Sequence, residues 1–494
     1  MVVHTDSSKA VDARRFVLQL FFAERNHFCM FCQMSGSCEL QDLAYQHGLD
    51  HWEYDRIFPK LPVDASRIYF SLDHNRCILC RRCVRVCDEL VGNKTIGVKN
   101  RGTASMIIAD TDVPFGDSSC ISCGTCLQVC PTGALIDRAS AYMGATDEIS
   151  RVKTTCTLCS IGCGAELIVR DNHVIRVEGD WDAEPNHGLL CEIGRFSLLH
   201  EQRQRVRVPL VRDGNSWREV SWEEALGQVA KRLQAAGNKL GVVVSGLASS
   251  EAAKAAVGSL PGEKMLLEGT PSPNGQFQLS ALDEADLYLV VNTDLTVGSN
   301  YQVAGFAIKR GVRHRGARLI LLGEGENGLD DWALYKWGPK DAEKAVELAA
   351  KAQQPAIVFS SRGAELARGL AKKLPKATLL GFAPGANTLG LVAQGVNKPF
   401  SVDGKSTYYV LAAELAQPKD ALLSALRKAD YVVVQASYRE PWDNVADVIL
   451  PSPTSHEKQG TVTNTEGRIG KVVAGVTTKL PGEAEVIKRI GALL

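Results

Sequence analysis

The sequence predicts two halves of different fold class, an α+β half over residues 1–208 and an α/β half with parallel sheets over 209–494. Cysteine usage is the first observation behind this: all 15 cysteines lie between Cys29 and Cys191, and none follows as far as Leu494. The second is a change of pattern near Ser221. Beyond it, amphipathic stretches alternate with short apolar runs, as crossover helices alternate with buried parallel strands. The third is size, since 494 residues with 45% apolar content supply core for about three domains.

Lysine plus arginine and aspartate plus glutamate balance at 56 each, so no excess positive field is available to hold nucleic acid or an anionic membrane surface. No apolar run approaches the ~20 residues that span a bilayer. Arg14-Arg15 resembles a twin-arginine export signal, but the apolar stretch after it ends at Glu24-Arg25 with no small-residue cleavage site. An odd number of cysteines in tight C-x-x-C groups suits metal or cluster ligation better than a disulfide framework. The expected setting is reducing and cytoplasmic, with protein or small-molecule partners, no nucleic acid and no membrane span.

Within the first half, Cys77-x2-Cys80-x2-Cys83-x3-Cys87 and Cys120-x2-Cys123-x2-Cys126-x3-Cys130-Pro131 are the two-cluster ferredoxin run written twice. Three thiolates on a short curled loop reach three irons of a cubane, and the fourth cysteine reaches the other cluster. This predicts one [4Fe-4S] site from Cys77, Cys80, Cys83 and Cys130, and a second from Cys120, Cys123, Cys126 and Cys87. Zinc would use simple C-x2-C pairs and fits these runs poorly.

Upstream, Cys29-x2-Cys32-x5-Cys38 offers three thiolates, and His27 stands two residues before the first. His27 is the candidate fourth ligand; a neutral imidazole leaves a cluster less negative and raises its potential, as in Rieske centres. The alternative is that His27 caps the helix expected over Arg14–Arg25, with water or Asp42 as fourth ligand. Downstream come Cys156-x2-Cys159-x3-Cys163 and, after a gap, Cys191. Ala165–Arg170 and His173–Glu178 read as a β-hairpin turning at Asp171-Asn172, which would fold Cys191 back towards the other three for a fourth cubane, with zinc the rival. Every cysteine is then used, and His27 completes 16 ligands for four [4Fe-4S] clusters. The predicted domains are 1–70, 71–150, 151–208 and 209–494.

In the second half, Ser221-Trp-Glu-Glu224 is a capping box opening a helix to about Ala236, with Gly237 stopping it before a strand at Leu240–Ser245. Strands are expected at Leu287–Val291, Arg318–Leu322, Ala356–Phe359, Thr378–Gly381, Tyr408–Ala412 and Tyr431–Val434, and helices at Asp341–Ala352, Ala364–Leu374 and Lys419–Lys428. Gly323-x-Gly325-x-x-Gly328 follows a strand where a dinucleotide fingerprint would, but Glu324 and Glu326 would repel a pyrophosphate; a plain turn is preferred.

The run Arg14-Arg-Phe-Val-Leu-Gln-Leu-Phe-Phe-Ala-Glu-Arg-Asn-His-Phe-Cys29, with Cys38-Glu-Leu-Gln-Asp-Leu-Ala44, resembles the diaphorase iron–sulfur subunit of NAD-reducing hydrogenases. It is similar also to the large iron–sulfur subunit of respiratory complex I and the alpha subunit of NAD-linked formate dehydrogenases. Cys156–Cys191 and the α/β half, ending in Asp447-Val-Ile-Leu-Pro451 and Gly460-Thr-Val-Thr-Asn-Thr-Glu-Gly-Arg468, resemble the molybdopterin-oxidoreductase region of the larger subunits. The resemblance implies an electron relay working with a flavin- and NAD(P)H-binding diaphorase subunit, a thioredoxin-like [2Fe-2S] subunit and a second catalytic subunit.

Two departures shape the expectation. Relatives usually begin with a plant-type [2Fe-2S] domain, whereas no cysteine precedes Cys29, so no [2Fe-2S] cluster is expected and electrons would enter from another subunit's centre. Catalytic relatives place a cysteine or selenocysteine where this chain reads Val244-Ser-Gly-Leu-Ala-Ser-Ser-Glu251, and their C-terminal barrel has no counterpart after Arg468. The expected reading is therefore a relay without molybdopterin and without bond chemistry. Its rivals are a molybdenum or tungsten formate dehydrogenase using Ser245 or Ser249 as ligand, and a protein whose clusters only staple the fold.

Overall fold

The computed structural model describes residues 3–51, 53–268, 278–295, 300–415, 417–418 and 420–494. It divides into two compact units, one of residues 1–151, 168–178 and 189–199, the other of 152–167, 179–188 and 200–494. Residues 151–208 are thus shared between the two. Among the described residues no helix is long and apolar enough to cross a membrane.

In the first unit, the N-terminal helix spans Ser8–Glu24, longer than predicted because the Ser7 hydroxyl accepts from Ala10 N–H and caps it two turns earlier. A second helix, Glu39–Gln46, begins directly after Cys38. Strands Val63–Asp64, Phe70–Asp73 and Leu135–Asp137 form an antiparallel sheet, and Ile96–Lys99 pairs with Met106–Ala109. Their inward residues, among them Phe70, Leu72, Ile96, Ile107 and Leu135, build one core with Phe115, whose ring meets Phe70 edge-on at 5.5 Å.

The two cysteine runs fold as copies of one loop. Two residues after the first cysteine of each stands a left-handed residue, Leu79 (φ 54°) and Ser122 (φ 52°), and two further on another, Arg81 (φ 61°) and Gly124 (φ 68°). Short helices Arg82–Arg85 and Thr125–Val129 follow. The curl turns main-chain N–H groups onto sulfur: Leu79 N–H donates to Cys77 Sγ (3.4 Å) and Ser122 N–H to Cys120 Sγ (3.5 Å).

Among the described residues the second unit holds two sheets with parallel strands, and an antiparallel pair, Gly460–Thr463 with Ile469–Val472. Strands Leu240–Val244, Glu263–Leu266, Lys398–Pro399, Thr407–Ala413, Tyr431–Ala436 and Val448–Pro451 run parallel in the larger, and the hairpin Leu210–Asp213/Ser216–Glu219 closes one edge antiparallel. The smaller is wholly parallel: Tyr335–Trp337, Arg318–Leu322, Leu287–Val291, Pro355–Phe359 and Thr378–Gly381. Half of the predicted capping box forms: Ser221 Oγ accepts from Glu224 N–H ahead of the helix Trp222–Ala236, while the Glu224 carboxylate accepts from Arg218 instead. The predicted helix Lys419–Lys428 is Asp420–Leu426, Lys419 itself lying outside the described residues. Gly323–Gly328 is a turn: Asn327 and Asp330 close it side chain to backbone, and a single helical turn, Asp330–Trp332, follows.

The last helix, Glu483–Gly491, buries Val486, Ile487 and Ile490 completely against Val229, Leu233, Ala252 and Ala256. Ile487→Ala is expected to cost ~2–5 kcal/mol, read as a lower urea midpoint with unchanged slope in the fluorescence of Trp217, Trp222 and Trp442.

Candidate metal centres

A narrow cavity in the first unit is lined by His27, Cys29, Cys32 and Cys38 together with Arg76 and Gly133. His27 follows the C-terminus of the first helix and is 8% exposed, with the Phe22 ring edge-on at 5.6 Å. Its Nε2 is buried and makes no hydrogen bond. Burial, with the guanidinium groups of Arg76, Arg56 and Arg25, holds the imidazole down to about 4, so at neutral pH it is uncharged, the state that ligates metal. Asp42, the alternative fourth ligand, is exposed and does not line the cavity. The loop carrying Cys32 and Cys38 is braced by Gln41, which accepts from Gly36 N–H (2.7 Å) and donates to Ser35 Oγ (3.3 Å).

Eight ferredoxin-type cysteines gather into two groups. Burial pushes the Cys77 thiol up to about 11, and Cys130 and Cys80 add to the rise; burial with Cys130, Cys77 and Cys80 pushes Cys83 up as well. In the other group burial pushes Cys87 up to about 12, helped by Cys123 and Cys120, and Cys126 rises with Cys123 and Cys120 beside it. The structure therefore brings Cys130 to Cys77, Cys80 and Cys83, and Cys87 to Cys120, Cys123 and Cys126. Cys83 also acts on Cys126, so the two groups adjoin. The first opens to solvent through the exposed Cys80.

Gly133, just after Cys130-Pro-Thr, links the histidine group to the first of these. A Cβ on Gly133 would stand 2.7 Å from Cys32 Sγ, so only glycine lets that sulfur approach. Glu39 strengthens the same junction: its N–H donates to Pro131 C=O (2.9 Å) and its carboxylate takes both terminal nitrogens of Arg82 (2.6 and 2.9 Å). Of the arginines interleaved with the first run, Arg82 and Arg85 are thus tied to Glu39 and Glu89, while Arg76 faces the His27 cavity.

The last group has a different frame. The hairpin forms over Gly164–Arg170 and His173–Gly179, with Asp171 and Asn172 both left-handed at its tip. In the second unit, Cys156 N–H donates to Cys163 C=O (2.8 Å), and Cys159 and Cys163 are buried. Asn464 and Thr465 clamp their loop by bonds to Ile161 C=O (3.0 Å) and Ser160 C=O (2.7 Å). Cys191 belongs to the first unit, where Gly194 N–H donates to its sulfur (3.3 Å).

These residues fit iron–sulfur cubanes in chemistry. An orphaned neutral imidazole shares a cavity with three thiols, the eight thiols stand in two fours, and N–H groups aim at sulfur. Among the described residues no three His, Cys, Asp or Glu side chains close to the spacing of a single ion, whereas a cubane takes one ligand at each corner.

A molybdopterin fits less well. After the strand Leu240–Val244, Ser245 Oγ donates to Glu268 (2.6 Å) and Gly246 N–H donates to its other oxygen (2.8 Å). Ser249 Oγ is committed to capping the next helix through Ala252 N–H (3.1 Å). Gly246 and Gly385 pack backbone to backbone, Lys458 Nζ holds Leu247 C=O (2.9 Å), and Asn387 holds Gly246 and Ala248. A carboxylate thus takes the N–H group and hydroxyl that an anionic ligand would need.

Sequence reasoning misses Gly133, Asn464, Thr465 and Glu268. The first three lie in or beside recognisable motifs, but their partners are remote in the chain, and spacing gives no sign of them. Gly133→Ala is expected to lower bound iron by about four atoms, one cubane, with the fold retained by circular dichroism; unchanged iron would separate Gly133 from the His27 group.

Four family descriptions match in order along the chain: "NADH-ubiquinone oxidoreductase-G iron-sulfur binding region" over residues 14–52, "NADH-quinone oxidoreductase subunit 3, ferredoxin-like domain" over 69–136, "Molybdopterin oxidoreductase Fe4S4 domain" over 149–202, and "Molybdopterin oxidoreductase" over 205–358 and 383–486. The chain is 28% identical to NADH-quinone oxidoreductase subunit 3 of Thermus thermophilus, over 100% of its own length and 71% of that protein. It is 33% identical to an NADH-quinone oxidoreductase subunit of Rhizobium meliloti over 48% of this chain and 28% of that one. With a provisionally named formate dehydrogenase of Staphylococcus aureus it shares 29% identity over 51% of this chain and 30% of the other. Matched over more than half its length by the last of the four descriptions, the chain belongs to the molybdopterin oxidoreductase family, with iron–sulfur-binding regions of NADH-quinone oxidoreductase type ahead of that domain.

Proposed function

We propose that the chain is an electron-relay subunit of a multi-subunit NAD(P)H-linked oxidoreductase. It would hold four [4Fe-4S] clusters between a flavin-containing diaphorase subunit and a second catalytic subunit of hydrogenase type or similar, with a thioredoxin-like [2Fe-2S] subunit as a further partner. The observation that carries this reading is the continuity of ligand groups in the first unit: the orphaned His27 Nε2 with Cys29, Cys32 and Cys38, the Gly133–Cys32 approach to the group of Cys130, and Cys83 beside Cys126.

Bound cubanes supply one-electron carriage, and the chain's own residues shape it. His27 offers a neutral donor where the other groups offer thiolates. Arg76, at the wall of the same cavity, is paired with Asp73 (3.0 Å), which offsets its charge there. Cys77, Cys83, Cys38 and Cys126 are buried, which excludes water, while N–H groups of the curled loops stabilise charge on sulfur. Cys156, Cys159, Cys163 and Cys191 are assigned to the fourth cluster, and 1–70, 71–150, 151–208 and 209–494 remain our domain reading. We infer that the α/β half carries no molybdopterin and acts as scaffold, because Glu268 engages Ser245 and Gly246. A cytoplasmic location accords with fifteen unbridged cysteines.

Two measurements test the reading. The anaerobically purified chain is expected to contain about sixteen iron atoms, four per cubane, without molybdenum, tungsten or zinc. Stoichiometric molybdenum or tungsten would put a formate-dehydrogenase-type catalyst in its place. His27→Cys exchanges a neutral ligand for an anionic one and is expected to lower one midpoint potential in an EPR-monitored titration while leaving the others unchanged. A titration with no midpoint moved would remove His27 from the ligand set.

A further inference from the structure

Arg195 lies in the helical turn Ile193–Ser197 that follows Cys191 and is only 3% exposed. Its guanidinium closes on three acceptors. Nε donates to Cys123 C=O (2.8 Å), Nη1 to Val177 C=O (3.0 Å) and Nη2 to the Gln128 side-chain oxygen (3.0 Å). None of these acceptors carries a charge. Of the nearby carboxylates, Glu178 already accepts from Arg151 and Arg176, and Asp137 from Ser140. A buried cation held only by neutral acceptors is costly unless an anion belongs beside it. Burial disfavours the charge, and the neighbours that favour it are Cys123, Glu178, Cys126 and Asp137.

Gly124 shows that the loop is built around this side chain. A Cβ there would stand 2.3 Å from Arg195 Cδ and 2.7 Å from its Nε. The matching position in the other cysteine run is Arg81, which adopts nearly the same left-handed backbone, φ 61° against 68°. Loop shape alone therefore tolerates a side chain at this position; the passage of Arg195 across the second loop does not. The main chain holds Arg195 from the other end, its N–H donating to Cys191 C=O (3.1 Å), so one residue joins two cysteine-bearing loops.

We infer that Arg195 is a positioning residue whose fixed positive charge raises the reduction potential of the cluster held by Cys87, Cys120, Cys123 and Cys126. The inference rests on the reading of those four cysteines as ligands. A four-thiolate cubane is an anion and becomes more negative on reduction, so a cation locked against its loop in a water-poor site favours the reduced state. At the other ferredoxin-type group Arg82 and Arg85 are held by Glu39 and Glu89, and the buried Arg25 beside Cys77 donates to His74 and Ser105 C=O rather than to a carbonyl between the ligand cysteines.

The test is an EPR-monitored redox titration of the iron-loaded full chain, with iron counted first. Arg195→Gln is expected to keep the iron and to lower one midpoint, so that at the wild-type midpoint the reduced-to-oxidised ratio falls about tenfold, which is 59 mV for a one-electron couple. Arg195→Lys, which keeps the charge without the fork, is expected to hold that midpoint near the wild-type value. Equal shifts in the two variants, or no shift with Gln, would overturn the inference. Should Arg195→Gln lose iron, Gln128→Glu decides the matter: it leaves Arg195 in place, sets a carboxylate against its Nη2, and is expected to lower the same midpoint. An unmoved midpoint in Gln128→Glu would overturn the inference. Iron already short by one cubane in the wild type would instead overturn the ligand reading beneath it.

Discussion

Burial of sulfur is the constraint on which the first unit depends. Iron needs thiolates, yet the sites that exclude water are those where a thiolate is least favoured, and burial above all, with neighbouring cysteines adding, pushes Cys38, Cys77, Cys87 and Cys120 above their ordinary range. The fold answers with geometry. Left-handed residues at Leu79, Arg81, Ser122 and Gly124 curl each loop so that backbone N–H groups face sulfur, and the short helices that follow turn the fourth cysteine of each run to the other group. Metal binding and the local fold are coupled in such a design, since ligand loops full of buried thiols gain most of their stability when the metal replaces the protons.

Close approach is the second theme, and glycine permits it at two places that matter. Gly133 lets Cys32 lie against the segment after Cys130, and Gly124 lets Arg195 cross the loop of Cys123. Each lets a side chain from a distant part of the chain lie directly against main chain, Gly133 just after Cys130 and Gly124 between Cys123 and Cys126. Where electrons must hop between centres, such contacts set both spacing and local charge.

The second unit uses the same backbone groups differently. Strand ends of parallel sheets are natural anion sites, because helix N-termini and loop N–H groups converge there. Here Glu268 accepts from Ser245 and Gly246 at the end of the first parallel strand, and Asn387, Lys458 and Ser249 close the rest of that loop. The sheet keeps its architecture, while the loop spends its donors internally.

Much of the fold could be read from the chain alone. The strands Leu287–Val291, Arg318–Leu322 and Thr378–Gly381 have the expected limits and Ser221 is the expected N-cap, because apolar period and capping chemistry act over a few residues. Spacing likewise sets the fifteen cysteines in four groups along the chain with His27 beside the first, two of them being curled C-x2-C-x2-C loops followed by a fourth cysteine. Tertiary structure alone decided that Cys32 meets Gly133, that Arg195 reaches Cys123 across 72 positions, and that Glu268 takes Ser245. Those are contacts that packing brings a distant side chain to make, and no local periodicity records which distant residue will arrive.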